Sequence, residues 1–498
     1  MPHLFLVVAA VLVGSEPQSP SGPPTSPAID VVTALENALV EAIARAEPSV
    51  VAIARDKDGK TEETTAVRGR KVAAPELVPE PRVPFGAFRG DPFAELDQPD
   101  YIASDYGSGV VIGTKGEILT TFSVVRGASR LLVRAKGTSD VFDAEVIAAD
   151  PRSDLAVIVP CESPTRGRPF RPLRPADAAK LRPLVLGDAT KLRKGNFLLA
   201  LGNPFNSSRD GRASASWGIL ANIARRLDSS HLDAEPTKRQ LRHYPTLLQL
   251  DAKLNLGMSG GAVINLKGEL VGLTTDAANV GGFDAQAGYA IPIDNLSRRA
   301  IDALRQGREV EYGFLGIGLS RSLNNQIGNV NPGTPAGEGG LLVDDFILAI
   351  GDLPVVDADS LVMAVNSFTP GAPIKLRLRR DDREIEKSII LSKLPIVGEV
   401  IATVRPESWR GLRVDFVSTN LRSNRGNDVL EAMAKGGVII TEVQPGSPAD
   451  DAELKPGQIV IAVEDQPIRS PADFTKAVRD RRDPVVLTTE GNQRVTIK

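Results

Sequence analysis

Short apolar runs separated by glycine turns fill the chain from Ser108 to about Ala290. Leu155-Ala-Val-Ile-Val159 and Phe197-Leu-Leu-Ala-Leu201 are two of these runs. Short runs at regular spacing, with turn signals between them, predict an all-β barrel or sandwich. Apolar residues recur at helical spacing from Ile29 to Ala46, and Leu296 to Leu304 predicts a helix that closes this region.

The last third of the chain contains an internal repeat. Asn331-Pro-Gly-Thr-Pro-Ala336 matches Gln444-Pro-Gly-Ser-Pro-Ala449, and the same offset aligns Phe346–Ile350 with Ile459–Val463. A register shared over this length indicates two copies of one small module. Each copy predicts a strand, a turn, a short helix, a strand, a second helix and further strands.

The N-terminus has the pattern of an export signal. Leu4 to Val13 form an apolar core that is typical of a signal peptide and too short to span a bilayer, although no Lys or Arg precedes it. We expect a signal peptide over 1–15, a Pro/Ser linker over 16–28 and an exported protein, periplasmic or extracellular. A misassigned start or a buried strand is the alternative. No other stretch approaches the length of a membrane span.

The amino-acid composition limits the kinds of partner and site that the protein can have. The 498 residues correspond to about three domains at roughly 150 residues each. With Lys+Arg 59 and Asp+Glu 62, bulk charge favours neither nucleic acid nor an acidic membrane as a partner. Cys161 is the single cysteine, which excludes a disulfide framework, and three histidines leave little material for metal binding. We expect neither a metal nor a cofactor.

The strongest local motif is Asn255-Leu-Gly-Met-Ser-Gly-Gly261, which precedes the apolar run Ala262–Asn265. Glycines on both sides of Ser259 allow a tight turn that brings backbone amides close to a reacting carbonyl. A purely structural turn is the alternative. Four further segments precede the motif in order: Gly107–Ile112, Ile118–Thr121, Asp150–Val157 and Gly202–Phe205.

In this order the segments resemble the HtrA/Deg family of trypsin-like serine proteases with C-terminal PDZ domains. The resemblance covers about residues 29 to 498. It implies a mostly β fold, with a trypsin-like double β-barrel over 29–305 that carries a long loop over 55–105. Two α+β PDZ domains would follow, over 309–395 and 400–498. It also implies a homotrimer or a higher oligomer.

The resemblance assigns the nucleophile to Ser259, the triad aspartate to Asp154 and the oxyanion hole to the backbone N–H groups of Gly257 and Ser259. The position of the catalytic histidine holds Ser123, in the segment Thr121-Phe-Ser-Val-Val125. A serine hydroxyl cannot accept a proton near neutral pH, and losing the histidine from a comparable triad costs about 10⁶ in turnover. We therefore expect a protease fold in which Ser123 does not act as a base.

The candidates to replace the missing histidine as the base are Lys253, His231 and His243. Lys253 stands six residues before Ser259, where relatives line the floor of the specificity pocket. It would bind an acidic side chain, plug the pocket or form a Ser–Lys pair; a surface lysine is the simpler interpretation. His231 lies in a polar stretch and His243 at the far end of a predicted strand, so both are weaker candidates for the base.

The first repeat carries Tyr312-Gly-Phe-Leu-Gly-Ile317, which is close to the loop that offers amides to a peptide C-terminus in PDZ domains of this family. Leu315, Gly316 and Ile317 are the candidate amide donors. The second copy has a looser counterpart, Trp409–Val414, and an insertion over Asn420–Lys435 that predicts a helix. Closed modules that only dock onto other domains remain the alternative for both copies.

Together these features predict a catalytically impaired, HtrA-like exported protein. It would bind unfolded proteins or peptide C-termini as a chaperone or adaptor in protein quality control. The alternatives are an active serine endopeptidase that uses Ser259 with a non-standard base, and a purely structural envelope protein.

Overall fold

A computed structural model describes residues 27–56, 105–136, 141–162, 173, 175–203, 211–225, 246–255, 257–275, 288–320, 324–396, 399–420 and 433–498. The expected signal peptide, almost all of the linker and of the loop 55–105, and all three histidines lie outside the described residues. Within the described part of the chain, none of the helices has the length and apolarity that crossing a membrane requires.

The first barrel follows helix α1 (Pro27–Ala46), which begins two residues before the predicted start. Its strands are β1 (Val50–Asp56), β2 (Asp105–Val111), β3 (Ile118–Thr121), β4 (Arg130–Ala135), β5 (Val141–Asp150) and β6 (Leu155–Cys161). They pair in the order β5-β4-β1-β2-β3-β6, and a further pairing of β5 with β6 closes the ring. Two one-turn helices accompany them, α2 (Phe122–Val125) and α3 (Pro175–Ala178).

The second barrel contains β7 (Phe197–Gly202), β8 (Ser214–Arg225), β9 (Leu247–Leu250), β10 (Ala262–Ile264), β11 (Leu270–Thr274) and β12 (Gly288–Pro292). It closes in the order β10-β11-β12-β9-β8-β7. Helix α4 (Asn295–Arg305) follows, and a capping box between Asp294 and Ser297 begins it. The prediction of a double β-barrel is confirmed.

Three apolar cores organise these barrels. One lies inside the first barrel and includes Ile53, and one lies inside the second barrel and includes Leu220. The third joins them: Leu119 of β3 and Leu201 of β7 belong to the same buried cluster, together with Ile301 of α4. The seam between the barrels therefore contains a buried apolar core of its own.

The first repeat forms an α+β module. Its strands are β13 (Gly313–Phe314), β14 (Ile317–Leu319), β15 (Ile327–Val330), β16 (Phe346–Ile350), β17 (Leu353–Pro354), β18 (Pro373–Arg380), β19 (Arg383–Ile390) and β20 (Ser392–Lys393). Its helices are α5 (Pro335–Glu338) and α6 (Ala358–Asn366). The β14 strand pairs with β15, and β13 pairs with β20.

The second repeat has the same plan. Its strands are β22 (Leu412–Phe416), β23 (Val438–Val443), β24 (Ile459–Val463), β25 (Gln466–Pro467), β26 (Val485–Thr489) and β27 (Arg494–Ile497). Its helices are α7 (Pro448–Asp451) and α8 (Pro471–Val478), and a 3-10 turn (Val417–Asn420) follows β22. Of the predicted insertion helix, residues 433–435 are helical and 421–432 lie outside the described residues.

Between the repeats the chain returns to the first barrel. Strand β21 (Ile401–Ala402) pairs antiparallel with β5, where Ile401 faces Ala149 and Ala402 faces Ala148. Thr403 adds a backbone bond to the Ile147 carbonyl. The sequence predicts these residues as part of the second repeat, over 400–498. In the structure they lie at the edge of the barrel sheet, because β5 extends past the end of β4 and leaves backbone groups to be paired.

Arg380 and Asp345 form a two-point ion pair inside the first repeat. The guanidinium donates to Asp345 Oδ1 at 2.7 Å and Oδ2 at 2.8 Å, and the Asp345 side chain is 1% exposed. We expect Arg380→Gln to lower the free energy of unfolding of this repeat by about 3 kcal/mol, because a buried carboxylate loses its cation. Hydrogen exchange of β16 and β18 measures the loss.

Arg494→Gln is the matched control, since the Arg494–Asp465 pair is largely exposed and contributes at most about 0.5 kcal/mol. Burial alone would raise the pKa of Asp345, but Arg380 and the Leu342 amide hold it below its ordinary value. The pair therefore stabilises the fold fully above the unfolded pKa, near 3.9, and loses its effect as the pH falls through the folded pKa. An advantage of Arg380 that persisted in strong acid would contradict this assignment.

Candidate active site and peptide loops

Ser259 lies in a loop that both barrels anchor. Its carbonyl accepts a bond from the Ser108 amide of β2 at 2.8 Å. The next amide, of Gly260, donates to the Thr274 carbonyl of β11 at 2.8 Å. Contacts from two barrels thus hold the half-buried Ser259 side chain at the seam.

Gly257 has a conformation that its sequence motif predicts. Its φ is +91°, and a Cβ at this position would lie 2.4 Å from the Tyr106 ring and 2.5 Å from the Asn203 carbonyl oxygen. The Ser108 hydroxyl donates to the Gly257 carbonyl at 2.8 Å and accepts from the Asn203 amide at the same distance. Among the described residues, the amides of Gly257 and Ser259 donate to no protein oxygen. Within the described part of the chain, these two amides therefore keep their donor capacity for a ligand oxygen.

Asp154 is held in the turn between β5 and β6. Its φ of +55° is uncommon for a non-glycine residue, and the turn is fixed by Asp150, which accepts bonds from the Ser153 amide and hydroxyl at 3.0 and 2.6 Å. Asp154 Oδ1 accepts from the Ser123 amide at 2.8 Å, and Oδ2 accepts from the Thr275 hydroxyl at 3.1 Å. The carboxylate is thus oriented by one group from each barrel.

Hydroxyl groups bridge the space between Asp154 and Ser259. Ser123 Oγ lies 3.5 Å from Asp154 Oδ2 and donates to Thr121 Oγ1 at 3.0 Å. Thr121 Oγ1 lies 3.4 Å from Ser259 Oγ. The predicted residues Ser123, Asp154 and Ser259 therefore meet in one constellation, which also includes Thr121.

Sequence reasoning missed three contributors to this site. Thr121 stands directly before α2 in the quoted motif, and Thr275 directly follows β11, so both were visible only as strand ends. Arg55, at the end of β1, donates to the carbonyls of Ser123 and Val124 at 2.6 and 3.0 Å and so positions α2. Its distance along the chain from these partners left no local signal.

The other predicted residues of this region lie apart from the hydroxyl chain. The Lys253 side chain is exposed, and its carbonyl accepts from Ser216 Oγ at 3.0 Å. Cys161 is buried, and burial, reinforced by Asp143 and Glu145, raises the pKa of its thiol to about 12, which makes it a poor nucleophile. Among the described residues, no group of three or more His, Cys, Asp or Glu side chains is placed to hold a metal ion.

The candidate peptide loop of the first repeat, Leu315–Ile317, is shaped by Gly316. Gly316 has a φ of +84°, and a Cβ there would lie 2.2 Å from Thr334. The carbonyls of Leu315 and Gly316 accept from the amides of Ala336 and Asn331, which turns them toward the module. Within the described residues, β14 pairs only with β15 and offers its other edge to an added strand.

The loop of the second repeat has the same anchors but is closed. Gly411 has a φ of +83°, and Ala449 donates to Arg410 as Ala336 donates to Leu315. Here, however, the amides of Trp409 and Leu412 donate to each other's carbonyls at 2.9 and 2.8 Å. The amide of Leu412, the counterpart of Ile317, is therefore already occupied.

Comparison with known proteins agrees with this architecture. A family described as trypsin-like peptidase domain matches residues 107–273, and PDZ domain families match 313–391 and 439–490. The chain contains a trypsin-like peptidase domain followed by two PDZ domains. We call the two repeats PDZ1 and PDZ2 from here on.

The chain aligns with curated relatives over most of their length. A probable periplasmic serine endoprotease DegP-like from Pseudomonas fluorescens is 28% identical over 419 residues, 81% of this chain and 77% of the relative. The periplasmic pH-dependent serine endoprotease DegQ from Escherichia coli is 28% identical over 448 residues, 87% of this chain and 86% of the relative. Among solved structures, HtrA-type protease AlgW with tripeptide aligns at a TM-score of 0.49 and 22% identity, over 72% of this chain and 97% of that one.

Replacing Gly257 tests the crowding at the nucleophile loop. We expect Gly257→Ala to destabilise the loop by more than the strain of about 1 kcal/mol that a positive φ imposes on alanine, because its Cβ meets Tyr106 and Asn203. Gly446→Ala is the matched control: φ there is +71°, with nothing within 4 Å of the added Cβ. Hydrogen exchange of each loop measures both effects, and equal losses would contradict the crowding.

Proposed function

We propose that this protein is an HtrA-like exported protein that captures unfolded proteins or peptide C-termini and does not cleave them efficiently. The observation that carries the proposal is Ser123, whose hydroxyl lies between Asp154 and Thr121 where a base would be needed. Relatives named as periplasmic serine endoproteases support an HtrA-like role and an exported location.

Among the described residues, the hydroxyl chain contains no group that could take the Ser259 proton near neutral pH. Attack by a serine requires a group of pKa near 7 within hydrogen-bond reach of its hydroxyl. Ser259 Oγ has Thr121 Oγ1 as its neighbour at 3.4 Å, and a threonine hydroxyl does not accept a proton to form a cation. Asp154 is separated from Ser259 by two hydroxyls, so its carboxylate orients Ser123 and Thr275 instead of activating the nucleophile.

The active endoprotease remains the second candidate, because Ser259, Asp154 and the amides of Gly257 and Ser259 keep a protease-like arrangement. In that case a base must come from outside the hydroxyl chain, with Lys253 as the candidate. The exposed position of Lys253 favours the simpler interpretation of a surface residue. By family resemblance we also propose a homotrimer or a higher oligomer.

Proteolysis of unfolded casein tests the first proposal. We expect no cleavage that depends on Ser259, and a gain of cleavage in Ser123→His, since the imidazole restores part of the roughly 10⁶-fold effect of a triad histidine. Thr121 Oγ1 stands between positions 123 and 259, so Ser123→His/Thr121→Ala provides room for the ring. Ser259→Ala in each background is the control, and robust cleavage by the unmodified protein that disappears in Ser259→Ala would overturn the proposal.

Peptide binding tests the other half of the proposal, the capture of peptide C-termini by PDZ1. We expect peptides with a free C-terminus to bind more tightly than their amidated forms, because the loop over Leu315–Ile317 offers amides to a carboxylate. Gly316→Ala should remove this preference, since its Cβ meets Thr334. Gly340→Ala is the matched control in the same domain and should leave the preference intact: φ there is +68°, and the added Cβ meets only the end of the Lys387 side chain, at 3.4 Å. Titration calorimetry gives both affinities, and equal binding of the two peptide forms by the unmodified protein would refute peptide capture by this loop.

A further inference from the structure

PDZ2 packs directly behind the peptide loop of PDZ1. Phe314 ends β13 and immediately precedes Leu315, the first residue of that loop. Its side chain packs against a small apolar cluster built from PDZ2: Val417, Met433 and Ile459. The residue from which the peptide loop departs is thus covered by the neighbouring domain.

An ion cluster joins the same two domains beside Phe314. Lys393 lies on β20, the pairing partner of β13, and its side chain is 5% exposed. Its ammonium group lies 2.8 Å from Asp415 on β22 of PDZ2, and 3.1 and 3.3 Å from Glu309 and Glu311 in the segment that enters PDZ1. One buried cation therefore connects PDZ2, the last strand of PDZ1 and the segment before PDZ1.

Hydroxyl contacts complete the junction. Ser418 Oγ donates to the Lys393 carbonyl at 2.6 Å, and Ser392 and Ser418 share a hydroxyl bond at 2.6 Å. Since Ser392 faces Phe314 across the β13–β20 ladder, these bonds hold the backbone opposite the start of the peptide loop. The junction combines charge, hydrogen bonds and apolar packing at one edge of PDZ1.

The electrostatics favour a permanently charged Lys393. Burial alone would lower its pKa, but Asp415, Glu309 and Glu311 outweigh burial and raise the pKa above its ordinary value. Burial raises the pKa of Glu309, and Lys393 opposes that rise. Because a buried charge that loses a partner is strongly destabilised, each carboxylate contributes to keeping the junction closed.

We propose that PDZ2 acts within the same chain as a positioning element for the peptide loop of PDZ1, through Asp415–Lys393 and the cluster at Phe314. This rests on the proposed peptide capture by PDZ1. In PDZ2's own loop the Leu412 amide already donates to the Trp409 carbonyl, as expected of a domain that supports its neighbour's site. Asp415 and Lys393 are positioning residues: they act through β13 and β20 and do not touch the peptide.

Asp415→Asn in the full chain tests this inference. It removes the one PDZ2 carboxylate that pairs with Lys393, while Glu309 and Glu311 remain as partners of Lys393. We expect binding of a free-acid peptide to weaken by about two- to thirtyfold, the range of couplings transmitted through packed networks, with amidated-peptide binding unchanged. Val417→Ala, which shortens a residue of the apolar cluster at Phe314, should also weaken binding of the free-acid peptide. In the peptide-free protein, hydrogen exchange over residues 313–319 should become faster in both variants.

Asp465→Asn is the matched control, because it removes an exposed PDZ2 carboxylate whose partner is Arg494 of β27 and not Lys393. It should change neither affinity nor exchange. If the unmodified protein binds both peptide forms equally, the proposed peptide capture fails, and this inference fails with it. If it prefers the free acid but Asp415→Asn and Val417→Ala leave affinity and exchange over 313–319 unchanged, the positioning role alone is overturned.

Discussion

The carboxylate of Asp154 is the point at which the two barrels are tied together around the candidate active site. One oxygen accepts the Ser123 amide from the first barrel, and the other accepts the Thr275 hydroxyl from the second. A buried carboxylate in a left-handed turn is costly unless its acceptor capacity is filled, and here protein donors fill it. Asp154 therefore keeps its position at the seam through donors that are unrelated to proton transfer.

Much of this arrangement was predictable from the sequence. The resemblance of their motifs to a known family assigned Ser259, Gly257 and Asp154, the glycines around Ser259 indicated a tight turn, and the repeat at a constant offset predicted two related modules. Thr121, Thr275 and Arg55 were not predictable, because their roles depend on which strand ends meet across the seam. The same holds for Lys393, whose three carboxylate partners come from separate segments. A role that depends on contacts between distant segments produces no characteristic residue spacing in the sequence.

The two PDZ domains show how one scaffold supports different surfaces. The backbone anchors of both peptide loops are equivalent, down to the positive φ of Gly316 and Gly411. Arg410, in place of Leu315, donates to the carbonyls of Ile497, Asp483 and Arg481, which ties the second loop to β27 and to the segment between α8 and β26. A residue exchange at one loop position thus accompanies the closed conformation of the second loop.

The linker strand β21 gives the segment between the PDZ domains a defined register. Ile401 and Ala402 face Ala149 and Ala148, whereas the preceding fixed point, Lys393, is buried in the junction between the PDZ domains. A strand that slips by one residue turns every side chain to its opposite face. The segment between residues 393 and 401 is therefore anchored at both ends, so the chain enters PDZ2 from a defined point on the first barrel.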